Sequence, residues 1–151
     1  MIIRQTRDTL SPIYFDALTI RKEVFVDEQK VPVSLEIDQE EANAIHFVLY
    51  REDDPIATAR ILSKTPKLAK LQRMAVRKTA RGAGNGAFLI RAVEKVCQEM
   101  SFETIQLGAQ LSAEGFYQTL GYTSYGEQFL DAGIQHISMQ KHIAPLERKK
   151  D

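Results

Sequence analysis

One cysteine, Cys97, stands in 151 residues, so no disulfide can form within the chain, and a reduced cytoplasmic setting fits. Cys97 falls on the apolar face of an expected helix, where a structural thiol is the simpler reading than a nucleophile. Net charge is also lacking. Twenty basic residues cancel twenty acidic ones, which removes the global field that nucleic-acid binding would use. No apolar run approaches membrane-spanning length, and the start Met1-Ile2-Ile3-Arg4-Gln5 is too short and polar for a signal peptide. The three histidines show no ligand spacing, so no metal site is expected. Repeats and internal linkers are missing too. The chain reads as one domain over residues 1–143 with a polar tail, 144–151, carrying Arg148-Lys149-Lys150.

What is present is an alternation of strand and helix patterns. A strand is expected over 2–7. A helix is expected over 10–29, where Leu10, Tyr14, Leu18, Arg21, Val24 and Phe25 follow a Thr9/Ser11-Pro12 start. Residues 32–44, with Glu36, Asp38, Glu40 and Glu41, read as an acidic loop. Strands over 45–51 and 56–64 flank the turn Glu52-Asp53-Asp54-Pro55, and a third runs over 68–77. The next helix carries Phe88, Leu89, Ala92, Val93, Val96, Cys97 and Met100 at three- and four-residue spacing. A strand over 104–109, a short helix over 113–120 stopping at Gly121, and strands over 122–127 and 134–142 complete the order. Strand, helix, strand implies a right-handed crossover with parallel pairing. The class is α/β, with a mixed sheet of about six or seven strands flanked by helices.

The richest segment is Leu71 to Ile90. The basic cluster Arg73, Arg77, Lys78 and Arg81 leads into Gly82, Gly84 and Gly86, and these open a helix. Glycines let backbone approach a ligand, and free N–H groups at a helix start attract an anion, so a diphosphate is the natural guest. A triphosphate P-loop is excluded, because no Lys-Ser/Thr follows the glycines. Gly82-x-Gly84-x-x-Ala87 fits the dinucleotide fingerprint literally. Five polar or small residues precede it, however, and the next strand ends in Leu107-Gly108-Ala109-Gln110 without an acid. A flexible loop before a helix is the plainest alternative.

Arg81-x-x-Gly84-x-Gly86, after Met74-Ala75-Val76, resembles the acetyl-CoA signature of the GNAT N-acetyltransferase family. Gln110-x-x-Ala113-x-x-Phe116-Tyr117-x-x-Leu120-Gly121-Tyr122 resembles that family's later motif, with Gln110 for the usual Asn and Tyr122 for the usual Phe. Val24 to Gln29, Glu36-Ile37-Asp38, His46-Phe47-Val48 and Phe129 to His136 are similar to the ElaA/YjcF-type subgroup.

The resemblance implies two splayed central parallel strands, here 68–77 and 104–109, with the pantetheine arm of acetyl-CoA between them. Backbone groups of Met74, Ala75 and Val76 would bond the arm. Arg81, Gly82, Ala83, Gly84, Asn85 and Gly86 would hold the pyrophosphate, mainly through backbone N–H groups. Gln110 would contact the arm by its side chain. An amine, small-molecule or peptide, would attack the thioester directly, the Met74 N–H would receive the oxyanion, and Tyr117 would protonate the leaving thiolate. Without the resemblance Tyr117 reads as a core aromatic beside Phe116. Glu36, Asp38 and His46 are candidate acceptor-site residues, against a plainly solvated acidic loop and a structural histidine. The alternatives are an acyl-CoA-binding sensor without turnover and a nicotinamide oxidoreductase. The acceptor is unassigned, and a homodimer is left open.

Overall fold

Ser11 and Pro12 start the first helix, α1 (Pro12–Arg21). The Ser11 hydroxyl accepts a hydrogen bond from the Ile13 N–H at 3.2 Å, and Pro12 sits where a missing N–H is harmless. The computed structural model describes residues 1–145, so the basic tail Arg148-Lys149-Lys150 lies outside the described residues. The helix expected over 10–29 is two structures, because α1 passes into a π-helix over Lys22–Glu28. That wider winding is rare and recurs at functional sites. The segment expected as a loop holds a one-turn helix, α2 (Val33–Glu36), and a 3-10 turn (Glu41–Asn43).

The strands are β1 (Ile2–Thr6), β2 (Ile45–Arg51), β3 (Asp54–Thr65), β4 (Leu68–Val76), β5 (Thr104–Gln110), β6 (Thr123–Asp131) and β7 (Ile134–His142). They are hydrogen bonded in the order β1-β2-β3-β4-β5-β7-β6. With α3 (Asn85–Glu99) and α4 (Glu114–Thr119) this is the α/β class with a seven-stranded mixed sheet. No helix among the described residues is long and apolar enough to cross a membrane.

The chain divides into two units. The first takes Met1–Leu62 and Leu71–Ala92, and the second takes Ser63–Lys70 and Val93 onward. In the first unit β1 and β3 each pair antiparallel with β2. Glu52 and Asp53 turn the β2–β3 hairpin with φ of 50° and 66°, the mirror-type turn that suits strand twist. Ile45 to Leu49 are all buried, so β2 reads as a continuous apolar run broken only by His46. Ala17, Ile20, Val24, Val48 and Ala75 form a core cluster, against which Ile13, Phe25 and Tyr50 pack.

In the second unit β4 pairs parallel with β5 at three positions only, Leu68↔Thr104, Ala69↔Ile105 and Lys70↔Gln106, although both strands run on. β7 pairs antiparallel with β5 and with β6. Ile105, Leu107 and Ala109 alternate into the core, as do Ile137 and Met139. On α3 the buried apolar side chains are Leu89 and Ile90 in the first unit and Val93 and Cys97 in the second, whereas Phe88 and Met100 of the expected stripe are exposed. Cys97 is a free, buried thiol, pushed up to about 12 by burial and by Glu94.

Candidate active site

The glycine loop lies in the first unit. A 3-10 turn over Lys78–Ala80 leads to Gly82 and Gly84, whose φ values are 81° and 79°. An added Cβ at either would meet nothing within 4 Å, so these glycines are required by conformation rather than by crowding. The Gly84 carbonyl accepts the first helical bond of α3, from the Phe88 N–H at 3.0 Å. The N–H groups of Asn85, Gly86 and Ala87 therefore stand before the first intrahelical donor. The Asn85 side chain points inward and donates to the Ala80 carbonyl at 2.9 Å, which ties the helix start to the preceding turn. Open space over left-handed glycines, beside free N–H groups at the positive end of a 15-residue helix, suits a diphosphate.

The basic cluster serves a different end from the one its charge suggested. Arg77 donates to Glu23 at 2.8 and 3.2 Å and pairs with Asp54. Arg81 donates to Glu28 at 2.9 Å and, through Nε, to the Val76 carbonyl at 2.9 Å. Glu23 and Glu28 both belong to the π-helix. Arg73 also faces a carboxylate, Asp38, at 3.2 Å. Three of the four cations are thus matched locally, and the exposed Lys78 is the fourth.

Two carboxylates of the acidic segment, Glu36 and Glu41, are buried rather than solvated. Glu36 is 4% exposed and Arg21 1% exposed, and the two form an ion pair. Glu41 accepts from Arg21 at 2.7 Å, Arg60 at 2.8 Å and the Tyr14 hydroxyl at 3.1 Å. Asp38 accepts from Arg60 at 2.7 Å, and Gln72 accepts the Arg60 Nε and Nη2. Three arginines and three carboxylates balance in charge, as a buried ionic cluster must. Arg60 holds Asp38 well below the usual carboxylate range. Burial opposes ionisation of Glu41, but Arg21 overcomes it and keeps that group low. Tyr14 is pushed up to about 12 by burial and Glu41. Of the expected acceptor-site residues, Asp38 alone keeps substantial side-chain exposure, 31%. His46 is buried, with Nε2 2.8 Å from the Glu41 carbonyl, and burial lowers its pKa.

Sequence reasoning missed the roles of Arg21, Arg60, Arg73 and Glu41. The one signal available was Arg21 in the apolar stripe of α1, where a charge demands a buried partner.

Tyr117 lies in the second unit, and its place is set by the end of α4. Gly121, at φ 95°, is the left-handed residue after the helix. The Gly121 N–H donates to the Gln118 carbonyl at 3.0 Å and the Tyr122 N–H to the Tyr117 carbonyl at 3.1 Å. This is a Schellman termination, and its usual apolar contact is the Tyr117–Tyr122 ring pair at 5.7 Å. Tyr117 is buried, edge-on to Phe116 at 5.0 Å, and burial raises its pKa, so the phenol keeps its proton at neutral pH. Tyr122 donates to Glu94 at 2.9 Å, and Lys141 bonds both Glu94 and the Leu120 carbonyl. Gln110 ends β5 opposite His136 of β7.

A family model, the acetyltransferase (GNAT) domain, matches residues 11–143. The Bacillus subtilis (strain 168) protein YjcF, named as an uncharacterized N-acetyltransferase, is 40% identical over 127 residues, covering 83% of this chain and 90% of its own. The crystal structure of Escherichia coli ElaA is similar at 26% identity and a TM-score of 0.79, over 93% of this chain and 99% of that one. An aminoglycoside 6'-N-acetyltransferase crystallised with coenzyme A shares the fold at 18% identity and a TM-score of 0.71, over 98% and 100% of the two chains.

Proposed function

This chain belongs to the GNAT acetyltransferase family, and from that premise we propose that it moves an acetyl group from acetyl-CoA to a primary amine in a ternary complex. The observation that carries the proposal is the loop Arg81 to Gly86, with two left-handed glycines under open space at the start of α3. Acetyl-CoA supplies the activated acetyl thioester. The N–H groups of Gly82 to Gly86 hold the diphosphate, and backbone groups of Met74, Ala75 and Val76 hold the pantetheine arm as a short extra strand. Gln110 bonds the arm by its amide. The Met74 N–H is the donor aimed at the acetyl oxygen as charge develops there.

Tyr117 keeps the proton that the departing thiolate takes, and its buried phenol is protonated when that proton is needed. The acceptor amine arrives mostly protonated, with a reference pKa near 10.4, so it gives one proton to water before attack and loses a second as the amide forms, which balances the proton Tyr117 gives to the thiolate. Glu36 and His46 are enclosed in the ionic cluster. Asp38 is therefore the acidic residue we assign to contact the amine.

The test has two readouts. Calorimetry with acetyl-CoA and with CoA is expected to show saturable 1:1 binding. A panel of polyamines, aminoglycosides, amino acids and lysine peptides, followed by free-thiol release, is expected to give turnover with one class. No binding of either acetyl-CoA or CoA would sink the proposal. Binding with no thiol release from any amine would leave a sensor module in its place.

A further inference from the structure

Among the described residues, Arg73 is the one non-glycine residue inside a strand with a left-handed backbone. It lies six residues into β4, with φ 55°. An extended strand has no use for that conformation, and a side chain with a Cβ adopts it only under strain. A single left-handed residue in a strand bends it and disrupts the ladder locally. Something must hold the bend, and the Arg73 guanidinium is placed to do so. Nε donates to the Glu36 carbonyl at 3.1 Å, and Nη2 donates to the Leu35 carbonyl and to the Asp38 Oδ2, both at 3.2 Å. All three acceptors lie at or just after the end of α2, so one side chain fastens β4 to that segment. Asp38 is itself held by Arg60, whose Nε and Nη2 bond Gln72, the neighbour of Arg73 in β4. The loop from Arg73 through Asp38 and Arg60 back to Gln72 is closed.

The residue after the bend is Met74. The peptide plane that carries the Met74 N–H is oriented by the backbone of Arg73, because that residue's ψ rotates it. We propose that Arg73 is a positioning residue, whose guanidinium locks the left-handed bend of β4 and thereby aims the Met74 N–H. The proposal rests on the role given to Met74 above. It adds that the aim of this donor is set from α2, outside the strand. A donor displaced by about 1 Å loses much of its effect on a developing charge, with a cost that reaches about a hundredfold in rate.

The test uses Arg73→Ala, Arg73→Gly and Arg73→Lys in the full chain, with an amine from the panel. Glycine takes the left-handed backbone without strain, so Arg73→Gly removes the lock but not the freedom to bend. Lysine returns the charge and a single donor point. The Ala and Gly variants are expected to lose about ten- to a hundredfold in kcat, while Kd for acetyl-CoA by calorimetry stays within about threefold. Arg73→Lys is expected to recover part of the kcat. Nitrogen-labelled spectra are expected to show the Met74 amide shifted or broadened in the Gly variant, with the Gly82 to Gly86 amides in place.

A kcat within about twofold of wild type in Arg73→Gly overturns the proposal, as does an unmoved Met74 amide. A purely structural role for Arg73 also overturns it, and would appear as equal loss of CoA-binding stoichiometry and of activity, with Arg73→Lys no better than Ala. Wild-type protein that binds acetyl-CoA but acetylates nothing defeats the transferase reading instead. The Met74 amide in Arg73→Gly then still decides whether the lock exists.

Discussion

Tyr117 owes its position to Gly121. The left-handed glycine lets two N–H groups turn back onto the last carbonyls of α4, and the Tyr122 ring closes over Tyr117. The pairing of a glycine with an apolar residue just after a helix was readable in Leu120-Gly121-Tyr122. Which of Phe116 and Tyr117 turns inward was not, because that depends on what the helix packs against. Tyr117→Phe keeps the buried ring and removes only the proton donor. Turnover is expected to fall by about ten- to a hundredfold, with acetyl-CoA affinity by calorimetry nearly unchanged. An unaltered kcat would take Tyr117 out of the acid role. Arg73 marks the opposite case at this scale. Its charge was visible as part of a basic cluster, but its left-handed backbone was not, since arginine carries no conformational signal of the kind glycine does.

Among the elements, the clearest in sequence were those set by local chemistry. β2 and β7 match their expected spans, and the β2–β3 turn and the start of α1 follow from Glu52-Asp53 and Ser11-Pro12. The π-helix and α2 were not anticipated. A π-winding looks like an α-helix at the level of apolar spacing, and a one-turn helix is too short to repeat. Both hold residues that meet arginines of β4 and the segment after it, through Glu23, Glu28 and the Glu36 carbonyl. The loop before α3 responds to substitution through its backbone. Gly84 carries φ 79° with open space above it, so Gly84→Ala acts through conformation alone, at about 1–2 kcal/mol. Held in the binding-competent loop, that strain is expected to weaken acetyl-CoA about tenfold. A Kd within about twofold of wild type, measured on a variant of unchanged helicity, would detach the left-handed glycine from binding.

For the molecule as a whole, the ionic cluster of the first unit governs how stability responds to pH. Asp38 and Glu41 are held below the ordinary carboxylate range, so the stability they lend is complete above about pH 5 and drains away as pH falls below it. His46 is lowered by burial from its ordinary value near 6.5. The unfolded chain takes up that proton first, so stability drops as pH descends from about 6.5. Thermal unfolding is expected to decline in two stages on acidification, and His46→Gln is expected to flatten the upper stage. Identical slopes between about pH 5 and 6.5 in the two proteins would remove His46 as the source.

The sequence by itself determined what neighbours along the chain can decide. That covers strand against helix, where caps and hairpin turns fall, and the paired motifs that mark the family. Only the tertiary structure decided what the charges do. Arg21 and Glu36 are 15 positions apart, and Arg73 lies 37 from the carbonyl it grips. Ionic energies depend on separation in space and on exclusion of water, and neither quantity is written in the spacing of residues. An acidic stretch thus reads as a loop and a basic stretch as part of an anion site, and folding closes them on each other around Asp38 and Arg73.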